Sequence, residues 1–319
     1  MSFSQQELRS GTVLLHDYRI EDVLGSGGFG ITYRARDKRL DTTVAIKEYF
    51  PRLLAYRRDD QTVISRNDGA NGDNLYAWGR SKFRQEADSL AQLQHSNIVG
   101  VNHMFEANNT SYMVLDYIDG GSMKDWLKQI KRLPEQHELD ALMAPLLSAL
   151  NAMHGKGLLH RDIAPKNIML AKPFKPVLID FGAVRLLVAQ HSQTVANMLT
   201  PGYAPCEQYS NRGQGPWTDV YALAATFYDA INGSPPVDAT ERLVEDSNKP
   251  AAVIGRGRYH PQFLAAIDWG LKPKPQDRPQ TIEQWRQGMK WLDPSEVTGP
   301  RPGARAHKPS WFGGLLGRN

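Results

Sequence analysis

His160-Arg161-Asp162-Ile163-Ala164-Pro165-Lys166-Asn167 is the stretch that decides how this sequence reads. A carboxylate, a turn stiffened by proline and an amide fall within one short run. Ile168-Met169-Leu170 follows as an apolar strand that would fix the loop. A carboxylate held this way can accept a proton from a hydroxyl, and an amide five positions on can hold a metal ion carrying phosphate. Alone such a loop is weak, because Asp and Asn crowd turns by bonding local backbone. Its weight comes from the residues before and after it.

Downstream, Val177-Leu178-Ile179-Asp180-Phe181-Gly182 predicts a strand ending in an acid and a glycine. Magnesium takes few carboxylates plus phosphate oxygens, so Asn167 with Asp180 is a suitable metal-holding set. Upstream, Val13 to Leu24 is mostly strand-like and leads into Gly25-Ser26-Gly27-Gly28-Phe29-Gly30. In a dinucleotide fold a helix follows such glycines. Here the β-branched and aromatic run Ile31-Thr32-Tyr33-Arg34-Ala35-Arg36 predicts a second strand, hence a hairpin, closing over phosphates or binding nothing.

Val44-Ala45-Ile46-Lys47 is an apolar strand ending in a charge. A buried lysine is costly unless paired, so Lys47 should have a carboxylate and a phosphate; the alternative is a lysine that snorkels at the surface. Phe83, Ala87, Leu90 and Leu93 mark one helical face, and Glu86 beside it is the carboxylate candidate; Asp88 projects away. Between them, Pro51 to Gly79 is a long insert with a short strand expected at Thr62-Val63-Ile64 and an anchor at Tyr76 and Trp78.

Residues 1–12 read as a loose polar lead-in. Asn97-Ile98-Val99 and Ser111–Leu115 predict two more strands. Asp116-Tyr117-Ile118-Asp119-Gly120-Gly121 then breaks regular structure and serves as a hinge between a strand-rich lobe and a helical one. Ser122 with Asp125 has N-cap chemistry, and Thr281 with Gln284 has the spacing of a capping box. Leu139, Leu142, Met143, Leu146, Leu150 and Met153 keep helical spacing, but Pro145 costs about 3 kcal/mol in a helix interior. A kink there, or a helix beginning near it, is expected. Asp219 opens an amphipathic helix over Val220–Ile231, and residues 293–319 form a Pro, Gly and basic tail.

The 319 residues suffice for one large or two modest domains, and 41% hydrophobic with 23% charged residues is ordinary for a globular protein. A single cysteine, Cys206, excludes an internal disulfide and favours a reducing compartment. The N-terminus lacks the apolar core of a secretory signal, and no apolar run approaches the ~18 residues of a membrane span. Net charge is only +4, and Arg52, Arg57, Arg58 and Arg66 are spaced as a solvated loop without aromatic interleaving, which argues against nucleic-acid binding.

Glycine hairpin, strand lysine, helix glutamate, His-Arg-Asp loop with its Asn, Asp-Phe-Gly and Ala204-Pro205-Cys206-Glu207 stand in one order, and together they resemble a bacterial eukaryotic-like (Hanks-type) serine/threonine protein kinase from about Tyr18 to Leu292. The resemblance implies an α+β, bilobal fold: small lobe 13–115, hinge 116–121, helical lobe 122–292. It implies that Gly25 to Gly30, including Ser26, Gly27, Gly28 and Phe29, cover the phosphates of ATP. Lys47 would hold the α- and β-phosphates, aligned by Glu86. Asp162 would be the base, and Asn167 and Asp180 would hold Mg²⁺, with Mn²⁺ as a substitute. Asp116 and Ile118 would bond adenine through backbone atoms below Leu115, with Thr32, Ala45 and Met169 packing on the base. Glu207 would pair with Arg278, and Asp219 would brace the catalytic loop. A phosphate on Ser192 or Thr194 would pair with Arg161.

Three positions depart from the family pattern. Ala164 stands where serine/threonine kinases carry lysine, which weakens γ-phosphate stabilisation; Lys166 would point elsewhere. Thr32 replaces valine above adenine, and Ala-Pro-Cys-Glu replaces Ala-Pro-Glu. Thr200-Pro201-Gly202-Tyr203 keeps the serine/threonine type of substrate loop. The expected activity is cytoplasmic transfer of the γ-phosphoryl group to Ser/Thr of protein substrates, itself included, with a cognate phosphatase or phosphothreonine-binding protein as further partners. The alternative is a pseudokinase scaffold. A small-molecule kinase is disfavoured by the Thr200–Glu207 platform.

Overall fold

The computed structural model describes residues 6–66, 75–181, 199–209 and 213–292. Its first lobe is a six-stranded antiparallel sheet in the order β1-β2-β3-β4-β8-β7. The strands are β1 (Val13–Leu14), β2 (Tyr18–Ser26), β3 (Gly30–Asp37), β4 (Thr42–Tyr49), β7 (Val101–Ala107) and β8 (Thr110–Asp116). In β3, Ile31, Tyr33 and Ala35 are buried while Thr32, Arg34 and Arg36 are half-buried, the period of two that a one-sided sheet requires. The insert contributes its own hairpin, β5 (Ala55–Arg57) with β6 (Val63–Ser65), so the short strand expected near Thr62–Ile64 forms one residue later. Helix α1 (Leu75–Ala91) buries Tyr76, Phe83, Ala87 and Leu90 and lies against β7 and β8.

Sequence and structure differ at several points in this lobe. The lead-in is not loose over residues 6–8: Leu8 is buried, and its N–H donates to Tyr33 Oη. Asn97–Val99 is not a strand but a loop with one bridge, Ile98 to Leu178, and the strand follows at Val101. The Asn97 amide is the reason, since its Nδ2 donates to Pro176 O at 2.7 Å and pins the segment to the other lobe. Arg57 is not solvated either; its guanidinium is buried against Glu48.

The second lobe begins at β9 (Gly120–Ser122), which pairs with β10 (Ile168–Ala171), itself paired with β11 (Lys175–Leu178). Helix α2 (Met123–Ile130) opens with the expected capping box between Ser122 and Asp125. Helix α3 runs unbroken over Gln136–His154 with Pro145 inside, so it starts well before the proline. Leu139, Leu142, Met143, Leu146, Leu150 and Met153 are all 0% exposed. At about 1.5–3 kcal/mol for each buried side chain, that face outweighs the proline penalty.

Four helices follow α4 (Cys206–Tyr209) and α5 (Pro216–Asn232): α6 (Ala239–Val244), α7 (Ala251–Ile254), α8 (Pro261–Gly270) and α9 (Ile282–Gln287). Helix α5 starts three residues before Asp219 and is buried on every side, a core helix rather than an amphipathic one. At α9 the Thr281 side chain accepts from Gln284 N, but Gln284 Oε1 turns to Gln280 N, so only half of the capping box forms. Among the described residues no helix is long and apolar enough to cross a membrane. The tail 293–319 lies outside them.

Candidate active site

The glycine run is a hairpin. β2 ends at Ser26, β3 begins at Gly30, and Gly27 N donates to Gly30 O at 2.9 Å. No helix follows, which removes the dinucleotide alternative. A Cβ on Gly30 would stand 2.7 Å from Glu48 O, so only glycine lets β3 lie this close to β4 at that point.

The sheet register brings the expected nucleotide-binding positions together. Thr32 pairs with Lys47, and Lys47 with Met113; Ala45 pairs with Leu115. Cross-strand partners share a face, so Thr32, Ala45, Lys47 and Leu115 are presented on one side of the sheet. β8 ends at Asp116, whose N–H donates to Gly100 O at 3.0 Å. Ile118 follows half-buried, and Met169 is half-buried on β10.

Lys47 Nζ forms an ion pair with Asp180, 133 residues along the chain and in the other lobe. Glu86, on α1, lines a cavity of about 230 Å³ between that helix and the large lobe, with Lys82, Leu158, Arg161 and Phe181. Asp180, just after β11, has a left-handed backbone, with φ 63°. Such a conformation costs energy in a residue with a Cβ and is typically held by surrounding structure at functional sites.

Asp162 is 6% exposed and its two oxygens have separate partners. Oδ2 accepts from Asn167 Nδ2 at 2.8 Å, and Oδ1 from Thr200 Oγ1 at 3.0 Å. Asn167 Nδ2 also donates to Asp162 O at 2.7 Å, and Ile179 N donates to Asn167 O, so the loop is tied to the strand that delivers Asp180. Ala164 is buried beside it, while Lys166 is exposed. His160 is fully buried, its Nε2 3.1 Å from Ile179 O and its ring 4.7 Å from that of Phe181. Burial pushes its pKa below the ordinary value, which keeps the imidazole neutral.

Asp219 braces this loop from below. Its carboxylate accepts from His160 N at 2.9 Å and Arg161 N at 2.8 Å, with His154 Nε2 at 2.8 Å. Burial by itself would raise its pKa; these donors, His154 foremost, hold it below the usual carboxylate range. Glu207 and Arg278 form a buried pair at 2.8 Å, with Thr218 Oγ1 on the same Glu207 oxygen and the guanidinium 4.6 Å above the Tyr221 ring. Cys206 beside them has its thiol pKa raised, by burial first and then by the charge of Glu207. One link was not legible: Gln208, 2% exposed, donates from Nε2 to Arg161 O at 2.8 Å and ties α4 to the catalytic loop. Ser192 and Thr194 lie outside the described residues.

The family model for the protein kinase domain matches residues 18–287. The serine/threonine-protein kinase PknB of Mycobacterium leprae (strain TN) is 32% identical over 284 residues, which covers 85% of this chain and 42% of PknB. PknL of Mycobacterium tuberculosis (strain CDC 1551 / Oshkosh) is 29% identical over 269 residues, covering 82% of this chain and 62% of PknL. The chain therefore spans 42% and 62% of the lengths of these two relatives. A solved structure of PpkA-294 in its apo form superposes with a TM-score of 0.81 at 38% identity, over 89% of this chain and 100% of that one. A hairpin of glycines, a strand lysine joined to the acid of the other lobe and this match over residues 18–287 agree: the chain belongs to the protein kinase family.

Proposed function

We propose that this domain transfers the γ-phosphoryl group of ATP to serine and threonine hydroxyls of proteins. The observation that carries the reading is the convergence of Lys47 and Asp180, from different lobes, beside a loop in which Asp162 is held by Asn167 and Thr200. Two carboxylates, an amide and an ammonium form a donor set suited to a triphosphate with a divalent ion. Asn167 and Asp180 would hold the cation, Mg²⁺ or Mn²⁺. Held there, a divalent cation would supply positive charge to offset that of the phosphates.

Asp162 orients the acceptor hydroxyl and takes its proton as the oxygen–phosphorus bond forms; the bond to the bridging oxygen breaks and ADP leaves. Lys47 anchors the α- and β-phosphates. Glu86, on α1, would align Lys47 for that contact. Gly25 to Gly30 would cover the phosphates, and Asp116 and Ile118 would bind adenine through backbone atoms. The pseudokinase alternative has only Ala164 in its favour.

Protein substrates, a phosphatase or phosphothreonine-binding partner and a cytoplasmic setting belong to the same proposal; the single cysteine supports the last. Regulation by phosphate at Ser192 or Thr194 is supported by Arg161, whose Nε has no hydrogen-bond partner among the described residues and borders the cavity with Lys82. The test is incubation with Mg-ATP and a generic basic protein, followed by phosphoamino-acid analysis and site mapping. Phosphoserine and phosphothreonine, with a site between 183 and 200, are expected. Phosphotyrosine alone would refute the specificity, and no phosphate in that segment would refute the regulatory part.

A further inference from the structure

Lys47-Glu48-Tyr49-Phe50-Pro51 has no role in phosphoryl transfer beyond its first residue, yet the next one is a buried charge held by three side-chain donors. Glu48 is 0% exposed and accepts from Tyr33 Oη and Tyr112 Oη, each at 2.8 Å, and from Arg57 Nη2 at 2.5 Å. Arg57 donates onward to Gln6 O at 2.9 Å and Gln61 O at 3.0 Å, and its guanidinium lies 5.0 Å over the Phe50 ring. Burial first, and then the charge of Glu48, raise the pKa of both tyrosines, so they remain protonated donors. A buried pair this well supplied with partners is a fixed point. It joins the N-terminal segment, the β5–β6 hairpin and β4 one residue away from Lys47.

From that fixed point the chain turns up onto the glycine hairpin. Phe50 N donates to Phe29 O and Arg52 N to Gly28 O, both at 3.0 Å. The Arg52 guanidinium donates to Ser26 Oγ, and Glu7 Oε1 lies 3.6 Å from its Nη2. Arg52 thus holds the hairpin at two points, once by backbone and once by side chain. The Glu7 contact is partly exposed and contributes little alone; the backbone bonds and the buried anchor do most of the ordering.

We propose that Arg52 is a positioning residue for the phosphate-covering hairpin, steadied by Glu7 and anchored through the Glu48–Arg57 pair. The proposal rests on the reading of this site as an ATP site. On that reading the hairpin covers the phosphates rather than the base, so a loosened hairpin would weaken the triphosphate contacts and leave adenosine binding alone. A general loosening of the lobe would weaken both.

The experiment is calorimetric titration of Mg-ATP and of adenosine into the full chain, with thermal midpoints as a folding check. For Arg52→Ala, which keeps the backbone bond to Gly28, we expect ATP affinity to fall about threefold with adenosine affinity unchanged. Arg52→Lys should recover part of the loss, because an ammonium reaches Ser26 without the guanidinium fork. If Arg52→Ala does not fold, Glu7→Gln provides the test, with an ATP-only loss of about twofold. Unchanged ATP affinity in the folded variant, or equal losses for ATP and adenosine, overturns the proposal. A wild-type chain that binds neither ligand overturns the ATP reading, and this proposal with it.

Discussion

Thr200 Oγ1 donates to Asp162 Oδ1 at 3.0 Å while Asn167 Nδ2 holds Oδ2 at 2.8 Å, so the two oxygens of the proposed base are oriented by two different segments. Ala164 supplies no cation beside them, and Lys166 is exposed. Thr200 is therefore the side chain that links the substrate loop to the base. Thr200→Ala should lower kcat by about 10- to 100-fold with the KM for ATP little changed, and Thr200→Ser should retain most activity. Steady-state kinetics on one acceptor peptide decide this; equal rates for all three proteins would contradict it.

Glu86 stands with Leu158, Arg161 and Phe181 around a cavity while Lys47 is paired with Asp180. If Glu86 aligns Lys47 for turnover, Glu86→Gln should cut kcat about tenfold or more and leave thermal stability nearly unchanged. A variant as active as wild type would show that the lysine is aligned without Glu86.

The Glu207–Arg278 pair lies at 1% and 2% exposure, with Arg278 also donating to Lys272 O at 2.6 Å and Pro273 O at 2.7 Å. Removing Arg278 leaves the buried Glu207 without its counter-charge, with Thr218 Oγ1 still donating to it. Arg278→Ala should therefore cost about 3–5 kcal/mol in urea unfolding. A loss below about 1 kcal/mol would mean that water reaches Glu207 and the pair is not a structural anchor.

His160 sets a pH dependence of stability. Its folded pKa is below the ordinary 6.5, because burial disfavours the imidazolium. Below pH 6.5 the unfolded chain takes up this proton first. Its contribution is thus fully present above about pH 6.5 and is lost as pH falls toward the folded pKa, by at most about 1.4 kcal/mol per pH unit. Asp219, held below 3.8, acts in the same direction only at lower pH. Urea unfolding between pH 7.5 and 5 should show a shallower slope in His160→Gln than in wild type; identical slopes would contradict the assignment.

The strands and motifs were legible where one face repeats or a charge interrupts an apolar run. Ile31, Tyr33 and Ala35 alternate, and Lys47 ends Val44–Ile46, so β3, β4 and the lysine could be read directly. The partners of Asp219 and Arg278 came from the family resemblance and are found in the structure. β7 was missed because Asn102, His103 and Glu106 leave it without a continuous apolar face. Arg57 looked like one of several loop arginines, since nothing in its neighbours reveals Glu48, nine residues back, as a buried partner. The pairing of Lys47 with Asp180 was beyond any local pattern, because the two stand 133 residues apart and in different lobes.

The central claim is that Lys47, Asp162, Asn167 and Asp180 act as one phosphoryl-transfer site. Radiolabel transfer from γ-labelled Mg-ATP to the chain and to a generic basic protein tests it most directly. Wild type should incorporate label. Asp162→Asn should bind ATP with transfer lowered by about 10³-fold or more, and Lys47→Met should fail to transfer. Equal labelling by all three proteins, or none by wild type, would contradict the account.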